Sequence, residues 1–413
     1  MKTIMKKSIL YILLTALIVT GCRQKGDVYF DPNESLNMQY DTYADQFDAI
    51  WRGINTHYVF WSEDKTNWDE VYQTMLPKFR ALDSAYVADS TAVDSIAFVK
   101  LYTEACSSLL DHHMAIMWRD VHTNKQYVFR PGVYEVNSRD YTRGQVYTSD
   151  TIMSRIKECI TVGMLDGGRW GKLNGYNNFF GTRTLEDGRK IAYLWQDGFM
   201  MTKALESTAT NEEEAQYIKN IKSWLQMCLT EPNLAGIILD NRNNLGGAVK
   251  DLKLIVSPFI TEPIHFADIR YKEGVGRYEY TAWEPYTVDT TAQEKRDLKA
   301  EHIPYVVLTN AYSISMGECS SMVIKMMPTG HMIGERTFGA HGMLVNEHSL
   351  FYNGTFGDRS SKHYVYTANV QVNFTDGGIL EGIGITPDQE ALQSENGYSG
   401  VVQKAIDYIK AYE

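Results

Sequence analysis

Two apolar runs, "LAGIILD" (residues 234–240) and "IPYVVLTN" (303–310), constrain this chain more than anything else in it. Each is apolar on both faces and bounded by polar residues, the pattern of strands buried from both sides, which parallel sheets covered by helices require. After the first come "NRNNLGG" and a helix-like "AVKDLKLIVSPFI"; after the second come "AYSIS" and "ECSSMVIKMM", a helix that Pro328 stops. Upstream, "IAYLWQDGF" (191–199) reads as a further strand, and residues 212–229 as a helix through Ala215, Ile218, Ile221, Leu225 and Cys228. The recurrence of strand, loop and helix predicts an α/β domain with a mainly parallel sheet over residues 188–390. "HYVYTANVQVNF" adds a late strand, and residues 391–413 form a terminal helix.

The rest of the chain reads differently. Apolar positions Phe47, Ile50, Trp51, Ile54 and Tyr58 recur at helical spacing, Asn67 and Glu70 are spaced to open a second helix, and Phe98, Leu101, Tyr102, Ala105 and Leu109 mark a third. These define a small helical domain, residues 41–115, which ends in "LLDHHM". Residues 116–187 are aromatic, Gly-rich and turn-rich, and read as an insert of mixed β and loop. With 413 residues, 44% of them hydrophobic, the chain has ample material for more than one core.

The first residues carry Lys2, Lys6 and Lys7, an apolar run from Ile9 to Val19, then Thr20, Gly21 and Cys22. This is a secretory leader whose core is too short to span a bilayer, over residues 1–21. Small residues directly before a cysteine resemble a bacterial lipobox, so the expected mature chain starts at a lipidated Cys22, with residues 22–40 as a polar tether. The expected location is the bacterial cell envelope, lipid-anchored, on the periplasmic or surface face of the outer membrane. A net charge of −11 argues against a nucleic-acid partner. Cys106, Cys159, Cys228 and Cys319 are widely separated and lack metal-ligand spacing, so no metal or cofactor is expected; Cys106 and Cys319 fall in helical patterns and read as buried free thiols.

Ligands of open α/β sheets bind at the carboxyl ends of the strands, and two loops there carry chemistry. In "NAYSISMGE" (310–318), Ser315 lies between strand and helix with Ser313 two residues before and Gly317 two after, small flanks that let a sharp turn expose a hydroxyl. The N–H of Met316 then falls in the first turn of a helix, where it favours an anion. In "DNRNNLGG", Gly246 or Gly247 can bring a backbone N–H close to a ligand, and with Met316 would make an oxyanion hole. The alternatives are an N-cap serine and a plain Gly-Gly turn. A serine nucleophile also needs a base, for which His112, His113, His341, His348 and Lys325 are candidates that the residues alone do not separate.

Taken in order, these segments resemble the C-terminal-processing (tail-specific) serine peptidases, and among them the tricorn-like branch. "FWSEDKTNWDEVY" with "LLDHHM" is similar to the helical start of that branch, and "IAYLWQDGF", "GIILDNRNNLGG", "VVLTNAYSISMGE", "IGERTFGAHG" and "LEGIGITPD" are similar to its catalytic-domain signatures. The resemblance implies a Clp protease/crotonase-like α/β fold, a peptide or unfolded-protein substrate, and Ser315 as the nucleophile. Where the tail-specific branch has its lysine base, this chain has Ala340; the tricorn-like branch implies His113 as base and Glu381 as its support, with His341 as runner-up. Two departures stand beside the histidine: His112 where the family has glycine, and Met114 where it has threonine. They keep open a second reading, a weak or inactive peptide-binding protein on the same scaffold, and a third, hydrolysis of a non-peptide ester. The family's peptide-gripping PDZ domain would fall at residues 116–187, which are expected as a reduced or diverged form of it.

Overall fold

The computed structural model describes residues 40–91, 95–139, 148–292, 294–297, 302–345, 354–357, 359 and 362–412. The leader, Cys22, the tether up to residue 39 and His348 lie outside these.

Three helices open the chain: α1 (Tyr43–His57), α2 (Trp68–Ala88) and α3 (Ser95–Cys106). Thr42 accepts the N–H of Asp45 to cap α1, and Asn67 accepts that of Glu70 to cap α2 at the predicted place, so one open donor of each helix is met. The helices do not close a core on their own. Strands β1 (Ala115–Arg119) and β2 (Gln126–Phe129) pair with two late strands in a sheet, and Ile116, Trp118, Phe356 and Val365 complete the aromatic core of Phe47, Phe79, Phe98 and Tyr102.

Residues 116–187, expected as one insert at the PDZ position, are instead shared among several bodies. Beyond β1 and β2, helix α4 (Pro131–Ser138) presses on the catalytic-domain loops. Helix α5 (Ser149–Thr161) packs against the terminal helix, and β3 (Gly167–Leu173) and β4 (Tyr176–Thr184) form a hairpin on the edge of the central sheet.

That sheet continues through β5 (Lys190–Gln196), helices α6 (Met201–Glu206) and α7 (Glu212–Thr230), β6 (Leu234–Asp240) and short α8 (Asp251–Ile255). Strands β7 (Ile264–Tyr271) and β8 (Glu284–Val288) belong to a separate antiparallel sheet. The chain returns with β9 (Tyr305–Thr309), α9 (Met316–Met326) and β10 (Gly330–Gly334), then β11 (Phe356–Gly357), β12 (His363–Tyr366), β13 (Val370–Phe374), β14 (Gln389–Glu390) and α10 (Gln393–Ala411). The strand order is β14-β10-β9-β6-β5-β4-β3, parallel from β14 to β5 and antiparallel at β4 and β3.

Both faces of the sheet are covered, which explains the unbroken apolar runs. In β6, Ile237 and Leu239 meet α7 and α9 while Ala235 and Ile238 meet α10; in β9, Tyr305 and Val307 divide from Val306 and Leu308 in the same way. Cys106, Cys159, Cys228 and Cys319 are buried and unpaired. One expectation is corrected: "HYVYTANVQVNF" is two strands in two sheets, β12 beside β1 and β13 beside β7. The break falls at Thr367 and Ala368, whose hydroxyl and N–H both go to the buried carboxylate of Asp111.

Candidate active site

The two serines of "NAYSISMGE" fare differently. Ser313 is buried; its Oγ accepts the N–H of Asn310 (3.0 Å) and donates to the carbonyl of Asn241 (2.7 Å), which ties the β9 end to the β6 end. Ser315 stands directly before α9 with φ 58° and ψ −118°, a conformation that costs a non-glycine residue about 1–3 kcal/mol. Neighbouring bonds hold it there: its N–H is shared between the Ala340 carbonyl (3.1 Å) and Glu318 Oε2 (3.2 Å), and Ile314 N–H donates to the Asn244 carbonyl (2.9 Å).

The Gly-Gly loop lies against this turn. A Cβ on Gly246 would stand 2.5 Å from Ser315 Cβ and 2.9 Å from its Oγ, and Gly246 has φ +93°, so only glycine fits. Its N–H donates to Asn244 Oδ1 (2.8 Å). Gly246 therefore serves as the close-approach residue, whereas the N–H groups of Gly247 and Met316 meet no acceptor among the described residues. Gly247 is fixed by Phe199, whose carbonyl oxygen occupies the space where a Cβ would stand.

Around the turn sits a set of buried titratable groups contributed by four loops. Glu318, in the first turn of α9, accepts N–H bonds from Ser315, Gly339 (2.7 Å) and Ala340 (2.8 Å) and the hydroxyl of Thr337, and lies 3.1 Å from His341 Nε2. Burial alone would raise its pKa, but the His341 imidazole and these donors outweigh burial and hold it at about 2. Glu381 accepts the backbone N–H of His112 (3.0 Å), His341 (2.7 Å) and Gly342 (2.8 Å), so it joins the two histidine-bearing loops. Burial and the neighbouring Asp111 push its pKa well up. Asp111 is likewise raised by burial, to about 6, and accepts His113 N–H (2.8 Å).

The candidate bases separate on these contacts. His341 has Nε2 toward Glu318 and Nδ1 4.0 Å from Glu381. His112 has Nδ1 at the Phe338 carbonyl (3.0 Å) and Nε2 3.9 Å from Glu135. The Nδ1 of His113 is shielded from solvent without a hydrogen-bond partner, and burial lowers its pKa to about 4, so the ring is neutral near pH 7. Asp111, His113 and Glu381 each bring one ligand-type atom to within 4.8 Å of the others, a spacing suited to two carboxyls flanking an imidazole and also to a small cation. Lys325 is remote from this set, with its ammonium on the Thr386 carbonyl (3.0 Å) and 3.6 Å from Asp388.

Helix α4 backs the arrangement. Val136 packs with Ala311, Tyr312, Phe338 and Ala340, and Arg139 donates to the carbonyls of Thr337 (2.9 Å) and Phe338 (3.1 Å). A Cβ on Gly132 would come within 2.6 Å of the His112 backbone. Sequence reasoning passed over Glu318 and Asp111. The serine-to-glutamate spacing of a capping box was a legible sign of the first, whereas Asp111 gains its meaning from Thr367 and Ala368, far along the chain.

A half-buried serine turn at the carboxyl edge of a mainly parallel sheet, backed by buried histidines and carboxyls, is an arrangement suited to acyl transfer. Residues 190–391 match the model of peptidase family S41, and this α/β domain is of that family, the C-terminal-processing serine peptidases. Among solved structures, a presumptive peptidase from Parabacteroides merdae ATCC 43184 is similar in fold, with TM-score 0.59 and 20% identity over 90% of this chain and 97% of that one. Mature CPAF complexed with lactacystin is also similar, with TM-score 0.55 and 12% identity over 89% of this chain and 98% of that one. At these identities the likeness is one of fold. No curated protein sequence matches the chain.

Proposed function

We propose that this protein is a lipid-anchored serine endopeptidase of the C-terminal-processing type. Ser315 Oγ attacks a peptide carbonyl while His113 takes its proton; the tetrahedral oxyanion is met by the N–H groups of Met316 and Gly247; and His113 then returns the proton to the leaving amine. Water hydrolyses the acyl-enzyme by the same route. Asp111 fixes the His113 backbone through one N–H bond, and Glu381 supports the imidazolium from within 4.8 Å.

The observation that carries this reading is the Ser315 turn, a strained serine packed against Gly246 with the next N–H left without an acceptor. A serine kept only to cap α9 would need neither the positive φ nor the glycine contact. His113 is favoured over His341 because both ring nitrogens of His341 face carboxylates. Anchoring rests on Val19-Thr20-Gly21-Cys22, and places the enzyme on the periplasmic or surface face of a bacterial envelope.

The test is labelling of the full chain with a fluorophosphonate, together with turnover of a denatured protein. Labelling and cleavage that vanish in Ser315→Ala support the proposal. A folded protein that is not labelled, and whose peptide turnover is unchanged by Ser315→Ala, overturns it. Cys22→Ala tests the anchor through loss of metabolic labelling with an alkynyl fatty acid.

A second reading, a peptide-binding protein without turnover, is motivated by Ala340. It is fully buried in an apolar cluster at the position where the tail-specific branch carries its lysine. Peptide binding by calorimetry that Ser315→Ala leaves intact, with no cleavage by the wild type, would favour it.

A further inference from the structure

Glu381 also lines a groove of about 810 Å³ that runs between the helical body, at residues 63–75 and 104–110, and the loop at 379–383. Its floor is apolar: Val71, Met75, Leu110, Ile379 and Ile383. Ile383 is 48% exposed, and Leu110 directly precedes the segment Asp111 to His113. Gly382 closes tightly on this floor, since a Cβ there would lie 2.4 Å from Leu110 Cδ1. The groove is therefore continuous with the loops that bear the candidate catalytic groups.

Its rim is acidic. Glu63, Asp64, Glu70 and Glu104 line it, against Lys65 as the one cationic side chain among the described lining residues. Glu63 lies 3.5 Å from Arg270, and Glu104 pairs with Lys78. Asp64 and Glu70 meet no cationic group among the described residues; their oxygens accept from Tyr58, Thr66, Leu110 and Asn67. Part of the rim charge thus stays uncompensated above an apolar floor.

We infer that this groove holds an extended stretch of substrate polypeptide in which an apolar side chain is flanked by lysine or arginine. The inference rests on the serine-peptidase reading for its purpose, but binding can be measured apart from it. The apolar side chain would lie on Met75, Leu110 and Ile383, and the flanking cations would face Asp64 and Glu70. Acidic segments would be turned away by like charge, which makes the groove selective as well as adhesive.

The test uses the full chain carrying Ser315→Ala and three fluorescein-labelled peptides with one apolar centre, flanked by lysines, serines or glutamates. Fluorescence anisotropy should give the lysine peptide an affinity about fivefold or more above the glutamate peptide at low salt. The ratio should shrink at high salt, and shrink again in Glu70→Lys, a change to an exposed side chain. Glu70→Gln, checked for folding by circular dichroism, should fall between the two. Equal affinity for all three peptides, or a ratio unmoved by salt and by both variants, overturns the inference. Wild-type cleavage of all three with equal binding would leave the peptidase reading standing and the groove without its role. Charge-selective binding with no cleavage by the wild type would do the reverse.

Discussion

The carboxylate of Glu318 lies 3.1 Å from Nε2 of His341 and also accepts the N–H of Ser315, three residues before it in the chain. One buried acid thus fixes the serine turn, the Gly339–Ala340 loop and a histidine together. Its pKa of about 2 lies below the ordinary 4.5, so the stability it contributes is present above pH 4.5 and is lost as pH falls toward 2. At neutral pH that contribution is on the order of 3 kcal/mol. Glu318→Gln should lose about this much in urea denaturation at pH 7, and its stability should depend less on pH below 4.5 than the wild type's does.

His113 gives a kinetic prediction. A base held near pKa 4 should place the acid limb of the kcat/KM profile well below the usual 6.5 of histidine. His113→Gln should reduce kcat by about 10³-fold with the fold intact. A full-activity His113→Gln with a dead His341→Gln would move the base to His341. The same shift has a stability sign: the folded state resists protonation, so stability should decline as pH drops from 6.5 toward 4, and His363, also lowered to about 4 by burial, adds to that decline.

The two serines should part in opposite directions. Ser315→Ala should remove turnover by about 10³-fold or more, and thermal unfolding should show a loss no larger than the roughly 0.5–2 kcal/mol of an N-cap side chain. Ser313→Ala leaves Asn310 N–H and the Asn241 carbonyl without their buried partner and should cost about 1–3 kcal/mol, with activity retained in the molecules that fold.

Gly246→Ala probes the approach of the two loops. Its methyl would stand 2.5 Å from Ser315 Cβ at a φ of +93°, so the serine must shift. A displacement of this size should lower kcat by about 10²-fold. Steady-state kinetics beside a chemical melt would separate that loss from the accompanying strain.

Local order was legible. Residues 234–240 and 305–309 are strands because their apolar runs fit only a doubly covered sheet, and Asn67 opens a helix because its side chain meets Glu70 N–H. The turn at Ser315 could be read from its small flanks, and the close glycine from "GG". Gly246 and Gly247 could not be told apart, since that depends on whether an N–H finds Asn244, which is a matter of loop path. Residues 116–187 misled because each of their pieces takes its partner from elsewhere in the chain: β1 from β12, α5 from α10, and α4 from the loop at Phe338.

The sequence by itself determined the strand and helix periods and the serine-bearing turn, because those depend on side chains a few residues apart. Tertiary structure decided the company that serine keeps. Asp111 meets Thr367 across 256 positions and Glu381 meets His112 across 269, and no local pattern records either pairing. Their pKa shifts arise only once packing has removed water from around them, so the neutral state of His113 is settled by burial and not by order along the chain.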